Sequence, residues 1–139
     1  MNRCVVLDAG ALEALSSSRS GRRGLEVRAA LRAAVRLRRE VIVPAVILAE
    51  LYRGPRHNPM VDACLSRETG IRVRDTDRAL AKIVGGVLAA ANVGSIHLAD
   101  AHVIASAVDS GGGIALTTDP DDLGRLAAAF GSVMVVHLP

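Results

Sequence analysis

The chain has 139 residues, of which 50% are hydrophobic and 22% are charged, and its formal net charge is +3. This length suits one domain over residues 1–139, and the high apolar content excludes an intrinsically disordered chain. The two cysteines, Cys4 and Cys64, are too few for a disulfide scaffold. We expect both to be reduced and buried, as in a cytoplasmic protein.

No stretch of the sequence has the composition of a membrane span. The longest uncharged run, residues 83–99, is interrupted by glycine and polar residues, whereas a transmembrane helix needs about 20 mainly apolar residues. The first apolar run, residues 4–7, ends at Asp8, so we expect no secretory signal. With one Tyr and one Phe, the chain also lacks the aromatic platforms on which single-stranded nucleic acids stack.

Apolar runs of strand length alternate with longer runs of helical period. In chain order the pattern predicts strand 3–7, helix 11–16, a polar loop through residue 24, helix 25–39, strand 40–43, helices 44–53 and 58–68, strand 71–73, helices 76–92 and 99–110, strand 114–117, helix 121–130 and strand 133–136. We expect the short strand 71–73 at or near an edge of the sheet. This alternation predicts an α/β domain with a mainly parallel sheet, which binds its ligands at the carboxyl ends of the strands.

Four carboxylates occur at strand ends or on apolar helix faces. Asp8 closes the first strand, and Asp119 follows strand 114–117. Glu50 and Asp100 have aliphatic residues three and four positions away, which puts them on apolar faces of their helices. Each acid alone has an ordinary explanation. Asp8 and Asp119 could cap the helices that follow them, Asp100 could interact with a helix dipole, and Glu50 could pair with Arg53.

Taken together, the four acids favour a metal site. Burying an unpaired carboxylate is costly, and crowded like charges either raise the pKa of one another or recruit a cation. Carboxylates without cysteine or histidine ligands select Mg²⁺ or Mn²⁺ over zinc. Such an ion can activate a water molecule and neutralise a phosphoryl oxygen. With these acids set aside, the rest of the chain is strongly basic, as suits an enzyme that cleaves phosphodiesters.

Four segments match known motifs in their order and spacing. They are VVLDAGAL (residues 5–12), VPAVILAELYRG (43–54), LADAHVIASA (98–107) and LTTDPDDLGRL (116–126). On these segments, and over essentially the whole chain, the sequence resembles PIN-domain proteins, specifically the VapC-type toxin ribonucleases. The resemblance implies a three-layer α/β/α sandwich. It also implies a divalent-metal-dependent endoribonuclease that is the toxin of a type II toxin–antitoxin pair.

The resemblance also implies roles for individual residues. The acidic quartet of the family falls on Asp8, Glu50, Asp100 and Asp119. Asp8 and Asp100 are then the firmest ligands of Mg²⁺ or Mn²⁺, while Glu50 and Asp119 complete the pocket and hold the attacking water. The hydroxyl of Thr117, two positions before the last acid, is expected to support this pocket.

Several nearby residues leave alternatives open. Asp122 is a candidate substitute for the last acid, although an Asp that starts a helix usually faces solvent. His97 and His102 are candidates for a general base, which metal-activated water does not need. Gly10 stands where many relatives carry Ser or Thr. Either a supporting hydroxyl is absent there, or the glycine leaves room for substrate or a backbone turn.

Four arginines recur along one side of the predicted helix 25–39, namely Arg28, Arg32, Arg36 and Arg39. Like charges at this spacing repel one another. The stripe is either a solvated face or a binding surface for RNA phosphate or an acidic partner. The resemblance implies two partners besides the RNA substrate: a small VapB-like antitoxin and a second copy in a homodimer. The alternative function is a catalytically weak or inactive PIN-like module that binds RNA or protein.

Overall fold

A five-stranded sheet forms the centre of the molecule. A computed structural model describes residues 3–17 and 21–139. Its strands are β1 (Cys4–Leu7), β2 (Val41–Pro44), β3 (Ile71–Arg74), β4 (Gly113–Thr117) and β5 (Val133–His137). They lie in the order β3-β2-β1-β4-β5, and all neighbouring pairs are parallel. The predicted parallel sheet is confirmed, and its third strand lies at an edge as expected.

Seven α-helices cover this sheet within the described ranges. They are α1 (Ala9–Ser16), α2 (Arg22–Arg36), α3 (Ala45–Leu51), α4 (Asn58–Arg67), α5 (Arg78–Ala91), α6 (Leu98–Asp109) and α7 (Pro120–Ala127), with a 3₁₀ turn at Ser95–His97. Helix α1 packs against α2 and α4, whereas α6 packs against α5 and α7. These two helical layers enclose the sheet, which confirms the predicted α/β/α sandwich.

The core is deepest where α6 crosses the central strands. Every residue of β1 and β2 is buried, and so is the whole segment 101–107 of α6. Parallel strands that are covered on both faces read as continuous apolar runs, which explains the sequences VVL and VIV. The alanines of α6 let its backbone approach β1 and β4 closely. As a result, the first turn of α6 lies near the middle strands of the sheet.

Two helix ends differ from the predictions for identifiable reasons. The predicted helix 76–92 begins at Arg78, because Asp77 rather than residue 75 or 76 is its N-cap. The Asp77 carboxylate accepts a hydrogen bond of 2.8 Å from the Leu80 N–H. Helix α4 ends at Arg67, one residue before the predicted end, and Glu68 is its C-cap. Neither difference changes the topology.

The structure also bears on the environment of the two cysteines and on the length of the apolar helices. Cys4 and Cys64 are free and buried, as expected. Burial raises the pKa of both thiols, so they are weak nucleophiles. In the part of the chain that the structure describes, no helix is both long and apolar enough to cross a membrane.

The strand order reverses direction between β1 and β4. From β1 the chain moves outward to β2 and β3, and it then returns to the other side of β1 to form β4 and β5. In open parallel sheets, such a reversal leaves a crevice at the carboxyl ends of the two diverging strands, where ligands bind. This crevice follows Leu7 and Thr117, and it is the place to examine for a functional site.

The closest approach between β1 and β4 requires a glycine. A Cβ added at Gly113 would lie 2.5 Å from both the carbonyl oxygen and Sγ of Cys4. We therefore expect Gly113→Ala to lower the free energy of unfolding by about 1–3 kcal/mol through overpacking. The matched control is Gly124→Ala on α7, where a Cβ meets open space. That change should be neutral or stabilising by up to about 1 kcal/mol. Urea unfolding measures both values, and equal effects would contradict the packing argument.

Candidate active site

Asp8 is the most buried carboxylate in the crevice, with 6% of its surface exposed. It follows β1 directly, and its N–H donates to the Leu116 carbonyl of β4 at 3.2 Å. One carboxylate oxygen, Oδ1, accepts a hydrogen bond of 2.8 Å from the Ala11 N–H and so caps α1. Burial raises the pKa of Asp8, and the nearby charge of Asp119 adds to this effect. The helix cap proposed from the sequence is present, and it coexists with this repulsion.

Thr117 links the two acids that follow β1 and β4. Its side chain is fully buried. Its Oγ1 accepts a hydrogen bond of 2.8 Å from the Asp119 N–H, while its hydroxyl is hydrogen-bonded to the Asp8 carboxylate and lowers the pKa of Asp8. Because a hydroxyl has one proton to donate, that proton is directed to Asp8. Thr117 thus lies between Asp8 and the backbone of Asp119.

Asp100 carries the largest electrostatic perturbation of the crevice. It lies in the first turn of α6 and is half-buried. Burial is the main cause that raises its pKa from 3.8 to about 6, followed by repulsion from Asp8, Glu50 and Asp122, while His97 acts in the opposite direction. The carboxylates of four separate elements, β1, α3, α6 and α7, are therefore close enough to interact.

Two of the expected acids lie at the rim of the crevice. Glu50 and Asp119 are exposed, so the inference that apolar surroundings would bury them is wrong. Helix α3 is only seven residues long, and Glu50 lies in its last turn, where the helix leaves the core. Asp119 occupies the N-cap position of α7, but its side chain makes no capping hydrogen bond. The capping explanation for Asp119 therefore fails, and its carboxylate is available to solvent or ligand.

Asp122 and His97 lie beside Asp100, in a close group of possible ligand atoms that does not include Asp8, Glu50 or Asp119. One ligand atom from each of His97, Asp100 and Asp122 lies within 4.8 Å of the others, a spacing that a single metal ion could bridge. The position of Asp122 four residues before the buried Leu126 was a usable signal, since the two share one face of α7. His102 is not in this group. It is buried, and its Nδ1 lies 2.8 Å from the Leu98 carbonyl oxygen.

No arginine or lysine forms an ion pair with these acids within residues 3–17 and 21–139. The ion pairs of that part of the chain join Arg22 with Glu26, Arg67 with Glu68, Arg72 with Glu40, and Arg74 with Asp77 and Asp109. The proposed Glu50–Arg53 pair is not among them. Carboxylate oxygens with one imidazole and no arginine or lysine partner form a donor set that fits a divalent cation.

Comparison with known proteins agrees with this geometry. The family model of the PIN domain matches residues 5–129. This chain belongs to the PIN-domain family. PIN domains are generally metal-dependent nucleases, so membership supports a nuclease of the hydrolase class. A search of curated proteins finds no match.

Three solved structures show the same fold as this PIN domain at low sequence identity. VapBC2 from Rickettsia felis, bound to a promoter DNA fragment, is 12% identical, with a TM-score of 0.67 over 98% of this chain and 99% of that chain. A toxin–antitoxin complex from Klebsiella pneumoniae is 16% identical, with a TM-score of 0.65 over 94% and 95% of the two chains. FitAcB from Neisseria gonorrhoeae is 18% identical, with a TM-score of 0.65 over 96% of each chain.

The side chain of Thr118 takes up the space beside Gly10 in this PIN domain. A Cβ added at Gly10 would overlap Oγ1 of Thr118 and lie 3.0 Å from its Cβ and 3.1 Å from its Cγ2. The glycine therefore accommodates a neighbouring hydroxyl. Of the two explanations that the sequence left open, the glycine does leave room, but the space is filled by the side chain of Thr118.

We expect Gly10→Ala to destabilise the PIN domain, although alanine in a helix normally stabilises by up to about 1 kcal/mol relative to glycine. Overlap with Thr118 should instead cost about 1–3 kcal/mol. Thr118→Gly removes the obstacle, so the double variant should recover most of the loss, with a coupling energy of at least about 1 kcal/mol. Urea unfolding of the four proteins measures this coupling. Additive effects would show that the two positions do not compete for space.

The raised pKa of Asp100 predicts how the stability of the metal-free protein, measured in EDTA, depends on pH. Between pH 4 and about 6 the folded protein retains a proton that the unfolded chain, with a pKa near 3.8, has released. The retained proton stabilises the folded state relative to the unfolded chain. This stabilisation is complete below pH 4, falls as the pH rises to about 6, and is absent above it. Asp100→Asn should stabilise the protein at pH 7.5 by up to about 3 kcal/mol.

The difference between Asp100→Asn and the unsubstituted protein should shrink as the pH is lowered from 7.5 to 5. Asp75→Asn is the control, because Asp75 is exposed and lies outside the acid group. Thermal unfolding at each pH measures the difference. A destabilised Asp100→Asn protein at pH 7.5 would show that attraction, not repulsion, dominates at this carboxylate.

Proposed function

We propose that this PIN domain is a divalent-metal-dependent endoribonuclease and the toxin of a type II toxin–antitoxin pair. The observation that carries the proposal is the convergence of unpaired acids from four elements in the crevice between β1 and β4, where Asp100 has a pKa of about 6. Carboxylates that repel one another at a ligand-binding crevice are costly for the fold, and such strained groups cluster at functional sites.

In this proposal Asp8 and Asp100 hold the cation from the buried side of the crevice. Glu50 and Asp119 close the group from its exposed rim, and the short distances from Asp100 to Asp122 and His97 add those two side chains as further ligands or substitutes. When bound, the cation offsets the crowded negative charge, lowers the pKa of a water molecule and neutralises a phosphoryl oxygen.

The residues around the cation would then orient the reactants. Thr117 restrains Asp8 through its hydroxyl and the Asp119 backbone through its oxygen, so both acids keep fixed positions relative to each other. The Asp119 carboxylate is exposed and makes no capping hydrogen bond, which leaves it free to accept a proton from the attacking water. We assign Glu50, which is also exposed, to help hold that water.

A cavity that includes Glu50 borders the acid group, and in this proposal it accommodates part of the nucleic acid chain. It has a volume of about 310 Å³ and is lined by Glu50, Arg53 and His57, among others. In this proposal the cleaved phosphate lies at the metal, while a flanking phosphate meets Arg53, the one arginine among the described residues that line this cavity. RNA as the substrate is part of the proposal.

The partner and the compartment extend the same proposal. Two of the similar structures are described as VapBC2 and as a toxin–antitoxin complex, which supports a VapB-like antitoxin that binds this chain in the cytoplasm. A homodimer also stays a prediction. Its support is that Ile96 is 90% exposed and Leu98 is 42% exposed, since large apolar groups at a surface favour association.

The proposal is tested by incubating pooled cellular RNA with Mg²⁺, Mn²⁺ or EDTA and sequencing the 5′ ends of the fragments. Asp8→Asn and Asp100→Asn should each lower the cleavage rate by at least about 100-fold, as expected when a group that stabilises transition-state charge is lost. Asp75→Asn should cleave normally. A DNA oligonucleotide of matched sequence tests whether the substrate is RNA.

A second readout separates a weak enzyme from a binding module. Mn²⁺ should raise the melting temperature of the unsubstituted protein, because a ligand that binds only the folded state stabilises it. It should leave the melting temperature of Asp100→Asn unchanged. A melting temperature that Mn²⁺ does not change, together with undetectable cleavage, would favour the catalytically inactive module.

A further inference from the structure

A second concave surface lies between α2 and the beginning of β3. It has a volume of about 570 Å³ and contains the arginine stripe found in the sequence. We call it the arginine groove, and its defining residues are Arg28, Arg32, Arg36, Arg39, Val35 and Ile71. The stripe is therefore not a plain convex helix face, because its side chains border a cavity large enough for several side chains of a ligand.

The arginine groove is at the opposite end of the sheet from the acid group. Its residues Val41 and Ile71 are the first residues of β2 and β3, whereas Asp8 and Asp119 follow the last residues of β1 and β4. Because all strands are parallel, the two sites are separated by at least the length of a four-residue strand, about 13 Å. The groove is not a part of the proposed cleavage site.

The arginines of the groove have no acidic partners in the described part of the chain. Elsewhere in those residues, four other arginines each pair with a carboxylate. The only acid that lines the groove, Glu68, lies 3.9 Å from Arg67, which is not a lining residue. Four guanidinium groups thus repel one another across the cavity, and an anionic ligand would relieve this repulsion.

The apolar part of the groove decides between the two ligands that the sequence left open. Val35 is 72% exposed and Leu31 is 8% exposed, and both line the cavity beside the arginines together with Ile71. A nucleic acid backbone would satisfy the arginines but leave the exposed Val35 side chain without an apolar partner, and no aromatic side chain of the described residues lines the groove to stack on a base. A polypeptide with carboxylates and aliphatic side chains on one face satisfies both.

We propose that the arginine groove binds an acidic amphipathic segment of a partner protein. The Arg28, Arg32 and Arg36 positions span about 12 Å along α2, so acids at i, i+4 and i+8 of a partner helix can each face one guanidinium group. Aliphatic residues between those acids would cover Val35 and Ile71. A second copy of this chain fits less well, because apposed grooves would bring eight like charges together.

This inference does not depend on nuclease activity. If the proposed antitoxin is the partner, the groove is where its acidic segment binds. Binding is therefore measured in EDTA, where cleavage cannot contribute. A protein that binds the segment without cleaving RNA would support the groove and leave the proposed function unsupported, and a protein that cleaves without binding would do the reverse.

The probe is a fluorescein-labelled 15-residue helical peptide with Glu at i, i+4 and i+8 and Leu between them. Fluorescence anisotropy with Arg32→Glu/Arg36→Glu should show a dissociation constant raised roughly 10- to 100-fold, because charge-assisted hydrogen bonds are lost. The matched control is Arg78→Glu/Arg125→Glu, which reverses two exposed arginines outside the groove and should bind almost normally.

Three further comparisons test the apolar and the charged components separately. Val35→Ser should weaken peptide binding without unfolding the protein, because this side chain is largely exposed. A peptide with Ser in place of Leu, and one with Gln in place of Glu, should both bind more weakly than the parent peptide. Equal binding of all three peptides would overturn the proposed chemistry of the groove.

The remaining outcomes identify other ligands. A labelled 12-nucleotide oligouridylate is tested with the same double variant, Arg32→Glu/Arg36→Glu. If this variant weakens binding of the oligouridylate and leaves binding of the acidic peptide unchanged, the groove binds nucleic acid and the proposal is wrong. If sedimentation shows that this double variant changes the oligomeric state instead, a second copy is the occupant. Absence of any peptide binding by the unsubstituted protein would also overturn the proposal.

Discussion

The pairing of β1 with β4 is the constraint on which the candidate site depends. Its register sets Leu7 beside Leu116, so that Asp8 and Thr117 leave the sheet side by side. The alanine-rich α6 then crosses these strands closely enough to bring Asp100 to the same crevice. Carboxylates from distant parts of the sequence meet because parallel strands end at the same edge, and not because any of them attracts another.

The unpaired acids and the unpaired arginines are two aspects of one distribution of charge. The acid group lies at the carboxyl ends of the strands, and the arginine groove lies at their amino ends. Repulsion within each group costs stability, and separation prevents the two groups from neutralising each other directly. A molecule with this distribution gains stability from ligands of both signs, a cation at one edge and an anionic polypeptide at the other.

The fold could be predicted from the sequence because its signals are local. Continuous apolar runs such as Val41–Pro44 indicate strands buried on both faces, and the longer periodic runs indicate the helices between them. The site was only partly predictable. Asp8 was expected at a ligand-binding edge because it directly follows an apolar strand. The exposure of Glu50 depends instead on how soon α3 leaves the core, and that length is set by tertiary packing.

The proximity of Asp122 to Asp100 and the shape of the arginine groove could not be predicted from the sequence for a related reason. The spacing from Asp122 to Leu126 indicates which face of α7 carries Asp122, but its approach to Asp100 depends on the relative placement of α6 and α7. The arginine spacing was visible in the sequence, but the opposite wall of the groove includes Ile71 of β3, more distant along the chain. Spacing within one helix indicates which residues share a face. Which residues of other elements lie against that face depends on the tertiary fold.

The contact between Gly10 and Thr118 has a consequence for how proteins of this family can diverge. The first turn of α1 and the residue after β4 share a volume that holds one side chain with a hydroxyl, supplied here by Thr118. A lineage can move that hydroxyl from one element to the other only by changing both positions, because the intermediate with two side chains overlaps and the intermediate with none leaves a void. Among aligned relatives, the positions of Gly10 and Thr118 should therefore vary together: a larger side chain at one position should accompany a small residue at the other.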